Sequence, residues 1–301
     1  MEVFDLIIIG AGPAGITAAV YAARKKINFL VVTGDIGGQA AWSGDIENYT
    51  GYQFVTGPEL AQKFEEHMRK YNIPVKENEE AVEVNKAGEV ILVKTNKAEY
   101  KSKTVIIASG KRSKELGVPG EKEFKNHGLT YCATCDGPLF AKKDVAVIGG
   151  GNSALDAALQ LIRIANKVYI INNTESLGGE LVMRHKIESA DNAMVYNNSR
   201  VAAVLGDKMV NAIEILKNGK EERLPVQGVF VEIGLIPNSG FIKDLEKNER
   251  GEIKINSRNE TSIPGIFAAG DVTDVPEKQI IIAAGEGSKA SLSAFHYLVQ
   301  H

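Results

Sequence analysis

Two cysteines, three positions apart in Tyr131-Cys132-Ala133-Thr134-Cys135-Asp136, are the only ones among 301 residues. The thiolate is the reactive form of cysteine, and in a Cys-x-x-Cys pair one sulfur attacks while the other resolves the mixed disulfide. One pair cannot brace a chain of this size as a disulfide scaffold, which leaves metal binding or redox exchange. Structural zinc wants four ligands. There is no second Cys pair and His127 is the one nearby histidine, so no metal is expected. Asp136 adjoins Cys135, and proton delivery to a sulfur needs hydrogen-bond reach or one bridging water. A helix N-cap or a surface carboxylate is the plainer role for Asp136. Pro138, Leu139 and Phe140 follow the dithiol, either as an apolar docking spot for a partner or as core.

The pair lies between two copies of one nucleotide-binding pattern. The first is the apolar run Leu6-Ile7-Ile8-Ile9, the turn Gly10-Ala11-Gly12-Pro13-Ala14-Gly15, an alanine-rich helix over 16–24 and a second strand over 29–32. In such a turn Gly10 serves the tight bend, Gly12 lets the backbone approach a pyrophosphate, and Gly15 lets helix pack on strand. The helix N-terminus then offers unpaired N–H groups and a positive dipole end to the phosphates. The second copy is Val145-Ala146-Val147-Ile148, Gly149-Gly150-Gly151-Asn152-Ser153-Ala154, a helix over 154–165 and a strand over 168–171. The spacing repeats, since Thr33 lies 23 residues after Gly10 and Asn172 lies 23 after Gly149. Paired patterns of this kind hold a flavin and a second electron carrier in one chain. A duplicated fold that has lost its second ligand is the alternative.

A third segment, over 261–271, is a short apolar strand ending in Gly270-Asp271. A carboxylate there can accept hydrogen bonds from ribityl hydroxyls while the glycine admits close backbone contact. On its own it reads as a strand and a turn.

Composition narrows the classes. A 44% hydrophobic content over this length suits a large core and favours two domains. A net charge of −3 offers no basic footprint for nucleic acid. No apolar run approaches the roughly 18 residues of a membrane span. The N-terminus runs straight into a strand without signal-peptide zones. A soluble, cytoplasmic protein is expected.

Together these motifs resemble the low-molecular-weight thioredoxin reductases, over essentially the whole chain. The likeness rests on Gly10-Ala11-Gly12-Pro13-Ala14-Gly15, Gly37-Gly38-Gln39, Cys132-Ala133-Thr134-Cys135-Asp136, Gly149-Gly150-Gly151-Asn152-Ser153-Ala154 and Gly270-Asp271, in the family's order. The resemblance implies an α/β fold of two Rossmann-like, ββα three-layer domains. The FAD-binding domain would take 1–112 and 241–301, and an inserted pyridine-nucleotide-like domain carrying the dithiol would take 113–240. It implies a homodimer and thioredoxin as partner. Gly37, Gly38, Gln39 and Asn48 would line the flavin site, and Gln279 and Ile280 would face the isoalloxazine ring beside Lys278, where many relatives carry arginine. Cys135 would face the flavin, Cys132 would attack the partner disulfide, and Asp136 would supply or relay the proton. A disulfide against the flavin cannot also meet thioredoxin, so the inserted domain would turn about connections near 110–119 and 235–240.

One departure from the family is informative. Members that use NADPH carry His-Arg-Arg at the end of the second strand of the inserted domain, where this chain has Asn172-Asn173-Thr174 and then Glu175. Losing two charged partners at about 1.5 to 3 kcal/mol each weakens a 2′-phosphate by about two to four orders of magnitude. Glu175 lies near the spacing of a ribose-binding acid, or is a solvated loop carboxylate. Plant-type ferredoxins, near roughly −400 mV, can reduce thioredoxin, near about −270 mV. Thioredoxin reductases that take electrons from ferredoxin keep the flavin and dithiol elements while losing the nucleotide contacts, and ferredoxin is favoured narrowly over NADH or NADPH. Rival classes are another flavin dithiol oxidoreductase, such as a peroxidase-linked reductase or a dithiol oxidase, and a non-catalytic redox-reporting flavoprotein. Trp42, Tyr49 and Tyr52, near the flavin loop, are expected to be structural.

Overall fold

The computed structural model describes residues 3–42, 45–46 and 48–301, apart from the side chains of Trp42, Asp45, Thr134 and Cys135. Two compact units emerge, Met1–Arg112 with Ile236–His301, and Ser113–Leu235. The chain leaves the first unit within the strand Lys111–Ser113 and returns within Leu235–Pro237, and these two strands pair. The return falls at 235/236, not at 240/241. Asn238 and Ser239 belong to the first unit because Ser109 Oγ donates to the Asn238 carbonyl at 2.6 Å and Ser239 Oγ to the Gly251 carbonyl at 2.7 Å.

In the first unit the central strand Val3–Ala11 is flanked in parallel by Phe29–Ile36 and Glu99–Ile107. Val75–Lys76 extends one side, Ile266–Ala268 pairs in parallel with Glu99–Ile107, and the hairpin Ala81–Ala87 with Val90–Thr95 completes a seven-stranded sheet. A near-continuous apolar run such as Leu6-Ile7-Ile8-Ile9 suits a parallel strand covered on both faces. Alternation then sorts its residues. Leu6 and Ile8 pack with Ile16, Ala19 and Ala290 of the helices Pro13–Arg24 and Ile280–Gln300, while Ile7 and Ile9 pack with Val84, Ile91 and Ile242 on the other face. Each of the leucine, isoleucine and valine side chains so buried contributes about 1.5–3 kcal/mol.

The second unit repeats the scheme. Five parallel strands run in the order Leu129–Thr130, Gly228–Val231, Asp144–Ile148, Lys167–Ile171, Ala193–Tyr196. Val145 and Val147 face Ala154, Leu155 and Leu161 of the helix Asn152–Ile162, whereas Ala146 and Ile148 face Val204, Ile213 and Ile215 of an antiparallel sheet formed by Ser199–Gly206, Val210–Lys217 and Lys220–Pro225. Both units are therefore ββα three-layer, Rossmann-like folds. The helix stops at Ile162 instead of 165, because its end tightens into i→i+3 bonds from Arg163 and Ile164. Among the described residues no helix is long and apolar enough to cross a membrane.

Candidate active site

The first unit builds a nucleotide cradle. Gly10 has φ +102°, and a Cβ there would sit 2.4 Å from the Ala108 carbonyl oxygen, so only glycine makes this bend against the neighbouring strand. Gly12 caps the helix with no side-chain hydrogen bond, Pro13 occupies its first position, and nothing lies closer than 4.0 Å to a Cβ placed on Gly12. The first-turn N–H groups of Ala14 and Gly15 are thus open to an anion. Gly37 N–H donates to the Ala11 carbonyl at 2.8 Å, laying Gly37-Gly38-Gln39 against the turn. Gln39 Nε2 in turn donates to the Lys111 carbonyl at 2.8 Å.

The C-terminal segment closes on the same place. Gly270 abuts Ala14, and the following Asp271 has a largely buried carboxyl that receives no hydrogen bond among the described residues. Burial raises its pKa, opposed by the charges of Lys278 and Lys111. Lys278 does not reach outward: its Nζ lies 3.2 Å from Glu252 and donates to the Thr273 carbonyl at 2.5 Å. Lys111 Nζ meets the same carboxylate at 2.8 Å. Burial works to raise the Glu252 pKa, but hydrogen bonds from Lys111, Asn248 and Lys278 outweigh it and pull it down to about 2. Gln279 caps the helix Ile280–Gln300, and its Oε1 accepts from Asn48 Nδ2 at 3.0 Å. Ile280 packs beside Tyr49 on the small cluster of Ile46, Val55 and Leu60, which agrees with a structural part for Tyr49. Trp42, as a side chain, lies outside the described residues.

The dithiol sits in the second unit. Cys132 is disulfide-bonded, and the chain's other cysteine is Cys135, whose side chain lies outside the described residues. The helix Ala133–Asp136 carries the segment. Thr130, at the end of its strand, was not anticipated. Its hydroxyl donates to the Asp136 carboxylate and accepts the Cys132 N–H at 3.2 Å, tying the acid to the backbone of Cys132. Asp136 makes no N-cap hydrogen bond to the turn that follows. Tyr131 anchors the segment from the other side through its hydroxyl, which donates to Glu121 at 2.8 Å, and burial first, then Glu121, raises the phenol's pKa.

Glu232 is a second unanticipated residue. Thr130 pairs with Phe230 in parallel register, so the residues just beyond the two strand ends meet. There the Ala133 backbone N–H lies near the Glu232 carboxyl. Burial, then the Asp156 carboxylate, pushes its pKa up to about 7, against the pull of that N–H.

The three residues after the dithiol separate. Phe140 is core, 6% exposed and edge-on to Phe230, whereas Leu139 is 69% exposed. Among the described residues no cluster of His, Cys, Asp and Glu is arranged for a metal.

Above these strands the second glycine crest is intact. Gly151 caps the helix Asn152–Ile162 without a side-chain hydrogen bond and faces open space. Asn172 is buried and turned inward: its Nδ2 donates to the Thr174 carbonyl and to Asn197 Oδ1, and its Oδ1 accepts from Thr174. Glu175 lies exposed in the loop. Asn172 corresponds to Thr33 of the first unit, whose hydroxyl accepts the Ala11 N–H at 3.1 Å.

The sequence profile described as pyridine nucleotide-disulphide oxidoreductase matches residues 4–287. The chain belongs to this family. Within the pyridine nucleotide-disulphide oxidoreductases it is 44% identical over 307 residues to a component of the alkyl hydroperoxide reductase of Pseudomonas aeruginosa, covering 99% of this chain and 59% of that protein. It is 43% identical over 303 residues to the NADH dehydrogenase of Bacillus subtilis, covering 100% and 60%. The chain thus spans about 60% of the length of these curated relatives. Among solved structures, Lactococcus lactis thioredoxin reductase superposes with a TM-score of 0.88 at 33% identity, covering 99% of this chain and 100% of that one. FAD is the cofactor of the family. The cradle fits it: the open first turn at Gly12 suits the pyrophosphate, and the unpartnered Asp271 carboxyl suits sugar hydroxyls.

Proposed function

We propose that the chain is an FAD-dependent disulfide reductase that passes two electrons from a reduced donor, through FAD and the Cys132–Cys135 disulfide, to a protein disulfide of the thioredoxin type. The observation that carries this reading is the Cys132 disulfide, held on the Thr130–Asp136 framework in a chain whose other unit is a flavin-type cradle. FAD, when bound, supplies the two-electron carrier. Gly10, Gly12, Pro13, Ala14, Gly15, Gly37, Gly38 and Gln39 hold its phosphate side, Gly270 and Asp271 its sugar chain, and Asn48, Gln279 and Ile280 its ring, with Lys278 steadying Glu252 beneath. Cys135 exchanges electrons with the flavin, Cys132 attacks the partner, and Asp136 moves the proton through its contact with Thr130. The active form is a homodimer.

For the donor, NADH now ranks ahead of ferredoxin. The open crest at Gly151 keeps a place for a pyrophosphate, the run Asn172-Asn173-Thr174 carries no basic residue for a 2′-phosphate, and one relative bears the name NADH dehydrogenase. The inward-turned Asn172 favours ferredoxin as the second reading, since it offers the ribose nothing. Anaerobic mixing of the FAD-loaded protein with NADH, NADPH or reduced ferredoxin tests this. Rapid flavin bleaching by NADH is expected; bleaching by ferredoxin alone transfers the role to it, and rapid bleaching by NADPH overturns both. Turnover of thioredoxin, set beside a peroxidase disulfide, tests the acceptor, and failure with every protein disulfide overturns the reductase reading.

A further inference from the structure

We propose that Glu80 is a specificity-determining residue of the flavin cradle, its carboxylate accepting hydrogen bonds from the adenosine ribose hydroxyls of FAD in place of an acid on the strand Phe29–Ile36. This rests on the reading of the first unit as the flavin cradle. In a dinucleotide-binding unit an acid about 20 residues beyond the glycine turn, at the end of the second strand, takes the ribose hydroxyls. Here Gly34 lies 19 residues and Asp35 20 residues after Gly15. Thr33, just before them, is buried and engaged, since its hydroxyl accepts the Ala11 N–H at 3.1 Å and donates to the Asp35 carbonyl at 2.5 Å. Asp35 is exposed, and among the described residues its carboxyl has no partner to hold it in place.

A separate segment brings a second acid to this strand end. Asn78, at φ +54°, turns the chain, and the Glu79 N–H then donates to the Thr33 carbonyl at 3.0 Å. The Glu80 N–H donates to Asn96 Oδ1 at 3.1 Å, and the Glu80 carbonyl accepts the Asn96 N–H at 3.0 Å. The two carboxylates part from there. Glu79 is buried and accepts from the hydroxyls of Thr95 at 2.6 Å and Tyr100 at 2.9 Å. Glu80 is exposed and lies over Gly34, its Oε1 3.1 Å from where a Gly34 Cβ would be. The missing side chain of the glycine is thus what lets the Glu80 carboxylate settle on the strand end. The phosphate turn is next door: Ala11 pairs with Ile36, and the Gly37 N–H donates to the Ala11 carbonyl. An ionised carboxylate offers acceptors only, so it suits the two free hydroxyls of a ribose and opposes a phosphate on either of them.

The test titrates the full-length apoprotein with FAD and with an FAD analogue carrying 2′,3′-dideoxyadenosine, reads binding by flavin fluorescence, and needs no turnover. Glu80→Ala should bind FAD about 10- to 150-fold more weakly than wild type does. Wild type should lose a similar factor with the dideoxy analogue, and Glu80→Ala should bind the two ligands alike. Glu80→Gln, which keeps one acceptor, should fall between, and it supplies the same comparison if the Ala variant misfolds. Equal FAD affinity in wild type and Glu80→Ala, or an undiminished preference for FAD over the analogue in that variant, overturns the inference. So does a preference that vanishes in Asp35→Asn while surviving in Glu80→Ala, which would return the ribose to the strand's own acid. Each of these results leaves the cradle standing, whereas wild-type apoprotein that binds no FAD overturns the cradle reading itself.

Discussion

Asn48 Nδ2 donates to Gln279 Oε1 at 3.0 Å, joining residues 231 positions apart at the mouth of the first unit's cradle. The bond fixes the side chain of Gln279, the residue at the N-cap of the helix Ile280–Gln300, and a ring placed there would meet a preset amide. Asn48→Ala should therefore weaken FAD retention without unfolding the unit. A hydrogen bond of about 0.5–1.5 kcal/mol corresponds to about 2- to 12-fold in affinity, measurable by flavin fluorescence on titration into apoprotein.

The sulfur roles can be separated. Cys132→Ser should leave a thiolate at position 135 that perturbs the flavin spectrum, whereas Cys135→Ser should give an unperturbed flavin. Both should lose disulfide reductase activity. Full activity in either variant removes the dithiol from the pathway.

Thr130 links Cys132 to Asp136, and Thr130→Val deletes both hydrogen bonds at nearly constant volume. Leaving a partly buried N–H without its acceptor costs about 1–3 kcal/mol. Partner-disulfide turnover should fall by about 5- to 160-fold. Flavin reduction by the external donor should be unchanged.

Glu252 predicts an acid-dependent stability. Its folded-state pKa is depressed from 4.5 to about 2, so the folded protein holds the carboxylate more tightly than the unfolded chain does. The stabilisation is complete above the unfolded value and is lost as pH falls from about 4.5 toward about 2. Glu252→Gln should lower the thermal midpoint at pH 7 and flatten its fall through that window. Lys111→Met should act in the same direction.

Local motifs were legible because their chemistry is contiguous. The crest at Gly10 to Gly15, its repeat at Gly149 to Ala154 and the pair at Cys132 and Cys135 each declare a turn or a reaction within a few positions. Asn48, Gln279 and Ile280 were reachable only through family resemblance, yet they do come together. Glu232 escaped notice because its place beside the dithiol segment comes from parallel pairing of two strands about a hundred positions apart, Thr130 opposite Phe230; Thr130 has its partners two and six positions away, but a lone threonine hydroxyl declares no role until the turn around Cys132 forms. Phe140 was ambiguous for another reason: adjacency to a reactive site says nothing about which side a ring faces, and packing on Phe230 decided it. The antiparallel sheet over 199–225 carries no chemistry, and its strands lack motifs to announce them.

The strands Lys111–Ser113 and Leu235–Pro237 carry the chain into and out of the second unit side by side. A segment whose two ends are neighbours behaves as a cassette. Recombination can exchange 113–235 for another sequence without rerouting the surrounding chain, so donor and acceptor preferences can be inherited separately from the flavin cradle.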